Sequence, residues 1–150
     1  MKRRIALALL AQLPISALAK DTALPVPASL PQVALAAKTQ GQPLVLLISL
    51  PGCVYCELVR RSYLMPLLAE IGLQAFQLDV SNRSTSLVGF DGKPTTAAAQ
   101  ANAWKATFTP TVLFLGSQGQ ELAERLVGIA VPDFYGAYLE QRLVTARAAL

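Results

Sequence analysis

The chain has no histidine and only two cysteines among its 150 residues. Without histidine there is no Ser-His-Asp or Cys-His hydrolase and no H-E-x-x-H metalloprotease. A closed zinc site takes about four ligands, usually Cys and His, so an intrachain zinc site here would need carboxylates, or a second copy of the chain. Charge is sparse too. Asp, Glu, Lys and Arg make up 15% of residues against 53% hydrophobic ones. That composition excludes a disordered tail and fits one domain with a single buried core. The net charge of +4 does not indicate a nucleic-acid binder. Lys2, Arg3 and Arg4 carry three of the 13 basic charges, leaving ten against nine acidic residues from Lys20 onward. No basic face is visible on that part of the chain, and Arg60-Arg61 reads as a solvated helix face.

What is present begins with a leader. "MKRR" is a positive n-region, "IALALLAQL" a short apolar run, and "PISALA" ends in small residues. Ala17 and Ala19 form an A-x-A site, so residues 1–19 read as a signal peptide cut after Ala19. The run is shorter than the roughly 20 residues of a membrane span. An uncut leader acting as an interfacial anchor is the alternative. Either way the sequence predicts an exported, periplasmic protein. Residues 20–29, "KDTALPVPAS", read as an extended Pro-rich lead-in, and residues 30–150 as the folded domain. No second stretch is long and apolar enough to span a bilayer.

Within the domain, Ser29 and Pro31 signal the start of a helix that runs to Gly41. "PLVLLIS" is continuously apolar and bounded by turn formers, the pattern of a central strand covered on both faces. "PGC" then turns the chain into a helix from about Cys53 to Ile71, ended by Gly72 and kinked by Pro66. "QAFQLDV" is a second strand, parallel to the first across a βαβ crossover. The polar stretch "SNRSTSLVGFDGKP" is a small hairpin or an ordered loop. Thr95 or Thr96 caps a helix through "AAAQANAWKAT". "PTVLFL" and "QELAERLVG" are two strands around a "GSQG" turn, and Pro132-Asp133 opens a last helix.

Both cysteines fall in "SLPGCVYCELVRR", residues 49–61. Residues i and i+3 of a helix share a face, so Cys53 and Cys56 can bond. At a helix start, free backbone N–H groups and the helix dipole favour a thiolate, so Cys53 is expected to ionise below the free-thiol pKa of about 8.5. Cys56, one turn deeper, is expected to be shielded. The pair then consists of an attacking thiol and a resolving thiol. A structural staple is the weaker reading, because so small a ring constrains the unfolded chain little. Two soft thiolates could instead hold Cu(I) for delivery. With no histidine available, the proton acceptor for Cys56 is a carboxylate or water, with Glu57 and Asp79 as candidates.

In order and content the segments resemble the thioredoxin superfamily over about residues 30–147. The matching features are strand, "PGCVYC", a helix with Pro66, a strand ending in "LDV", a helix, "TPTVLFL", "GSQGQELAERLVG" and a final helix. Within it the chain is most similar to exported bacterial thioredoxin-like proteins of the SoxW and TlpA kind. The resemblance implies an α/β thioredoxin fold with a mixed four- to five-stranded sheet flanked by helices. It implies a cis peptide bond before Pro110, with Thr109 beside Cys53 and able to pair with an extended substrate segment. It implies a protein-disulfide reductase with Cys53, Cys56 and Pro110 as catalytic candidates and with Thr109, Val54 and Tyr55 contacting substrate; Glu57 joins the catalytic candidates as proton acceptor, because Leu47 replaces the family's acid. Gly128 matches the family glycine that lets the backbone come close behind the site. Protein disulfides are then the substrates, a membrane electron donor of the DsbD type is a partner, and no cofactor is needed. A disulfide oxidase or isomerase is the alternative enzyme reading; isomerisation usually goes with dimerisation, and no added dimer domain is visible, so a monomer is expected.

There are departures from the family pattern. Gly52, Val54 and Tyr55 replace the usual Trp, Gly and Pro around the cysteines, and Leu47 stands where the family carries a buried acid. No histidine lies between the cysteines, so the potential is expected nearer about −270 mV than about −120 mV. Leu87, Val88 and Phe90 lie in the extra segment 81–94, which either packs on the domain or forms a lip beside the site. Trp104 reads as core. Asn82-Arg83-Ser84 fits a glycosylation sequon, a short match that is frequent by chance.

Overall fold

Six consecutive buried residues, Leu44–Ser49, form strand β1 at the centre of the sheet. In the computed structural model, which describes residues 23–150, that sheet has four strands in the order β2-β1-β5-β6. β2 is Ala75–Asp79, β5 Thr111–Leu115 and β6 Glu121–Val127. β1 pairs parallel with β2 and antiparallel with β5, and β6 continues antiparallel. The expected signal peptide and the first residues of the lead-in lie outside the described residues. No helix among the described residues is long and apolar enough to cross a membrane.

Side chains of a strand alternate between faces, and each face of β1 has its own core. Val45 and Leu47 pack with Val59, Leu64, Phe114, Leu139 and Leu143. Leu44, Leu46 and Ile48 pack with Leu30, Ala34, Leu78, Ala101 and Leu113. The first core lies under the helical run after the cysteines and under α5, Tyr135–Ala148. The second lies under α1, Leu30–Thr39, and α4, Ala97–Ala103. Ser29 caps α1 and Thr96 caps α4 through side-chain oxygens. α4 stops at Ala103, shorter than its apolar pattern suggests, because Trp104 caps it and Lys105 adopts a positive φ of 54°.

The long helix after the cysteines is interrupted. α2 is Val54–Val59, α3 is Met65–Ile71, and a π-helical turn spans Arg60–Leu64 between them. Pro66 has no N–H to donate, and the wider turn, in which Met65 N–H reaches Arg60 O, lies immediately before it. The irregularity therefore falls upstream of Pro66. Gly72, in the left-handed region, ends α3 as expected.

The segment 81–94 is a hairpin, β3 Ser86–Val88 against β4 Pro94–Thr96. It packs on the domain: Leu87 is buried, and the Phe90 ring lies 6.3 Å from that of Trp104, which is half-buried. Asn82 Oδ1 accepts the N–H groups of Ser84 and Thr85, tightening the preceding turn. The lead-in runs beside both strand edges, with Gln77 N–H donating to Pro25 O and Val88 N–H to Ala28 O.

Candidate active site

β1 delivers the chain to Leu50, after which Pro51 and Gly52 form a turn. Gly52 has φ +76°, and Cys53 N–H donates to Leu50 O at 3.2 Å. Cys53 is the N-cap of α2 rather than its first helical residue, and its Sγ accepts the N–H of Cys56 at 3.2 Å. The two sulfurs are joined in a disulfide, with Cα atoms 5.2 Å apart. Cys56 is buried at 1% exposure and Cys53 is half-buried, while Val54 is 77% exposed and Tyr55 is also open to solvent. Only the outer sulfur can therefore be approached from the surface.

β5 starts beside the end of β1, with Ile48 opposite Thr111. The segment before β5 thus comes to the same end of the sheet as the cysteine turn. The Thr109–Pro110 peptide bond is cis, Pro110 is buried and Thr109 half-buried. Gly128 N–H donates to Pro110 O at 2.7 Å, and Thr111 Oγ1 donates to Phe108 O at 2.7 Å. Gly128 has φ +65°, and a Cβ there would lie 3.2 Å from the exposed Phe108 ring. The positive φ favours glycine at this position.

Behind the turn is a polar cavity of about 260 Å³ lined in part by Ser49, Glu57, Arg60, Arg61, Gln77 and Asp79. Arg60 corrects the sequence reading, because its side chain is only 8% exposed while that of Arg61 is 59% exposed. Four residues past Cys56, Arg60 falls on the same helix face, which packs on the sheet. Its Nε donates to Gln77 Oε1 at 2.7 Å, one terminal nitrogen pairs with Glu57, and the other lies 3.4 Å from Ser49 Oγ. Ser49 and Gln77 are polar residues in otherwise apolar strands, as is Asp79 at the end of β2, and those exceptions are the signal by which Arg60 could have been found. Leu47, at the position of the family's buried acid, is fully buried and paired in register with Gln77.

Glu57 is shared by two cations, since Arg61 Nε also pairs with it at 3.0 Å. Asp79 Oδ1 accepts both the N–H and the hydroxyl of Ser81. Among the described residues no three His, Cys, Asp or Glu side chains gather in a metal-binding group. Among these residues the structure brings Cys53, Cys56, Val54, Tyr55, Thr109 and Pro110 to one end of the sheet, and sets Glu57 beside the cavity.

The sequence family of thioredoxin-like domains matches residues 30–143. The chain belongs to the thioredoxin-like family. Solved structures agree in fold. A poplar thioredoxin h mutant aligns with a TM-score of 0.55 at 17% identity, over 87% of this chain and 90% of that one. Fasciola hepatica thioredoxin gives 0.53 at 17% identity, over 81% and 97%. Mitochondrial thioredoxin 3 of Saccharomyces cerevisiae, in its oxidised form, gives 0.51 at 19% identity, over 81% and 93%. No curated protein matches the sequence. A thioredoxin-like domain carrying a C-x-x-C disulfide at a helix start supports thiol–disulfide oxidoreductase chemistry.

Proposed function

We propose that this protein is an exported protein-disulfide reductase, working in the periplasm. The observation that carries the reading is the asymmetry of the pair: a buried inner sulfur and a half-buried outer one, bonded at a helix start. In the reduced protein the Cys53 thiolate attacks a substrate disulfide. A Cys53–substrate bond forms, the substrate bond breaks, and the first substrate sulfur leaves as a thiolate. The Cys56 thiolate then attacks Cys53 Sγ. The intramolecular disulfide forms, the mixed disulfide breaks, and the second substrate sulfur departs. The substrate gains two electrons and, from solvent or Glu57, two protons. The domain is left oxidised and must be recharged by an external dithiol, for which a membrane donor of the DsbD type is the candidate.

Val54, Tyr55 and Phe108 offer exposed apolar surface around the outer sulfur. The Thr109 backbone, held by the Pro110–Gly128 hydrogen bond, is suited to pairing with an extended substrate segment. Export rests on the leader sequence alone. The test is reduction of insulin by the dithiol form together with fractionation of cells expressing the full chain. Stoichiometric Cu(I) binding with no activity on disulfides would favour a metal-delivery role instead. Catalysed oxidation of reduced proteins would favour the oxidase direction.

A further inference from the structure

The sequence after the second cysteine, "ELVRR", places a cation one helical turn past Cys56. A guanidinium at 8% exposure needs partners to offset its lost hydration. It has them on three elements: Gln77 on β2, Ser49 at the end of β1, and Glu57 on its own helix. The partners differ in burial. Glu57 is 48% exposed and divided between Arg60 and the exposed Arg61. Water and the second arginine therefore weaken the carboxylate's field, whereas Arg60 acts through protein. Arg60 lies one helical turn past the buried Cys56, on the helix face that packs on the sheet.

We infer that Arg60 is a positioning residue for the resolving thiol: its anchored guanidinium favours the Cys56 thiolate and draws the Glu57 carboxylate to itself. The inference deepens the reductase reading and rests on it for its role in turnover. Leu47, which stands where the resemblance implies a buried acid, is apolar, and its strand partner Gln77 is the residue to which Arg60 is tied. The other charged groups on this side are Arg61 and Asp79. Arg61 points to solvent, and one carboxylate oxygen of Asp79 is held by Ser81. In turnover the effect falls on the second step. More Cys56 is deprotonated at neutral pH, so its attack on Cys53 Sγ, with expulsion of the substrate sulfur, is faster.

The test titrates Cys56 alone, in the full chain carrying Cys53→Ser, by thiolate absorbance against pH. Arg60→Gln should raise the proton affinity of Cys56 by about tenfold, and Glu57→Gln should lower it. Arg60→Lys should stay close to the parent. A structural role alone would not move the first two variants in opposite directions. If Arg60→Gln folds and titrates like its parent, the inference fails. If Arg60→Gln does not fold, Glu57→Gln decides, and an unchanged titration there overturns the inference as well. Insulin reduction by the chain with both cysteines separates the two ideas. An inactive two-cysteine chain with the opposed shifts intact refutes the reductase reading, whereas an active one without those shifts refutes the role of Arg60.

Discussion

Gly128 donates its backbone N–H to the carbonyl oxygen of Pro110 at 2.7 Å, which ties the turn after β6 to the segment that enters β5. The bond joins the two stretches of backbone that approach the cysteine turn from the β5 side. Its geometry depends on a positive φ, which a residue with a Cβ adopts only at an energetic cost.

Gly128→Ala should therefore destabilise the domain by about 1 kcal/mol. The added methyl would also press on the Phe108 ring, one residue before Thr109. Denaturant unfolding measures the first effect and the KM for a protein disulfide the second. A variant with parental stability and KM would mean that the turn is easily rearranged.

Cys56→Ser should abolish turnover and accumulate mixed disulfides on Cys53, visible as bands that vanish on adding reductant. Cys53→Ser should accumulate none, because the inner sulfur is buried. Equal trapping by both variants would contradict the division of labour between the sulfurs.

The Cys53–Cys56 couple should titrate nearer about −270 mV than about −120 mV, since Val54 and Tyr55 supply no cation between the sulfurs. Equilibration with glutathione buffers of known ratio gives the value. A midpoint at the oxidising end would point to disulfide formation as the cellular task.

Tyr135 has a buried hydroxyl with no hydrogen-bond partner among the described residues, and its ring lies 4.9 Å from that of Tyr63. Burial, with Tyr63 as a second cause, pushes its phenol well above the ordinary value. A raised folded-state pKa means that the folded protein keeps a proton which the unfolded chain loses. This contribution is thus fully present below about pH 10, the unfolded value, and is lost as pH rises from there through the folded value. Tyr135→Phe should remove that alkaline loss and raise stability at neutral pH by about 1 kcal/mol. Melting curves at neutral and alkaline pH, compared with the parent, test both parts.

Leu87, in the hairpin 81–94, is buried against the α1 and α4 side of the sheet. Leu87→Ala should cost about 2–4 kcal/mol. A loss below about 0.5 kcal/mol, the usual range for a surface change, would mean that the hairpin does not belong to the core.

Much of this architecture is legible in the sequence, because its signals are local and strong. "PLVLLIS" is too apolar to lie anywhere but the centre of a sheet. Ser29 and Thr96 each precede an apolar helical run by one residue, and Gly72 ends another. The cysteine spacing on a helix start was readable for the same reason. Arg60 was not, since a charged residue beside another charged residue ordinarily faces water, and its burial depends on Ser49 and Gln77 arriving from distant segments. The π turn at Arg60–Leu64 was hidden as well. Pro66 announces a disturbance in the helix, but packing decides which upstream turn absorbs it. The early end of α4 reflects the conformation of Lys105, which no side-chain pattern encodes.

The lead-in carries a practical consequence for anyone labelling this protein. Ala23 sits on the wall of the Arg60 cavity, whereas Arg147 near the other terminus reaches Gln42, just before the start of β1. A dye, affinity handle or surface linker placed at Ala23 would stand beside the Arg60 cavity, behind the cysteine turn. The same attachment at Leu150 would stand near the opposite end of the sheet, away from that turn.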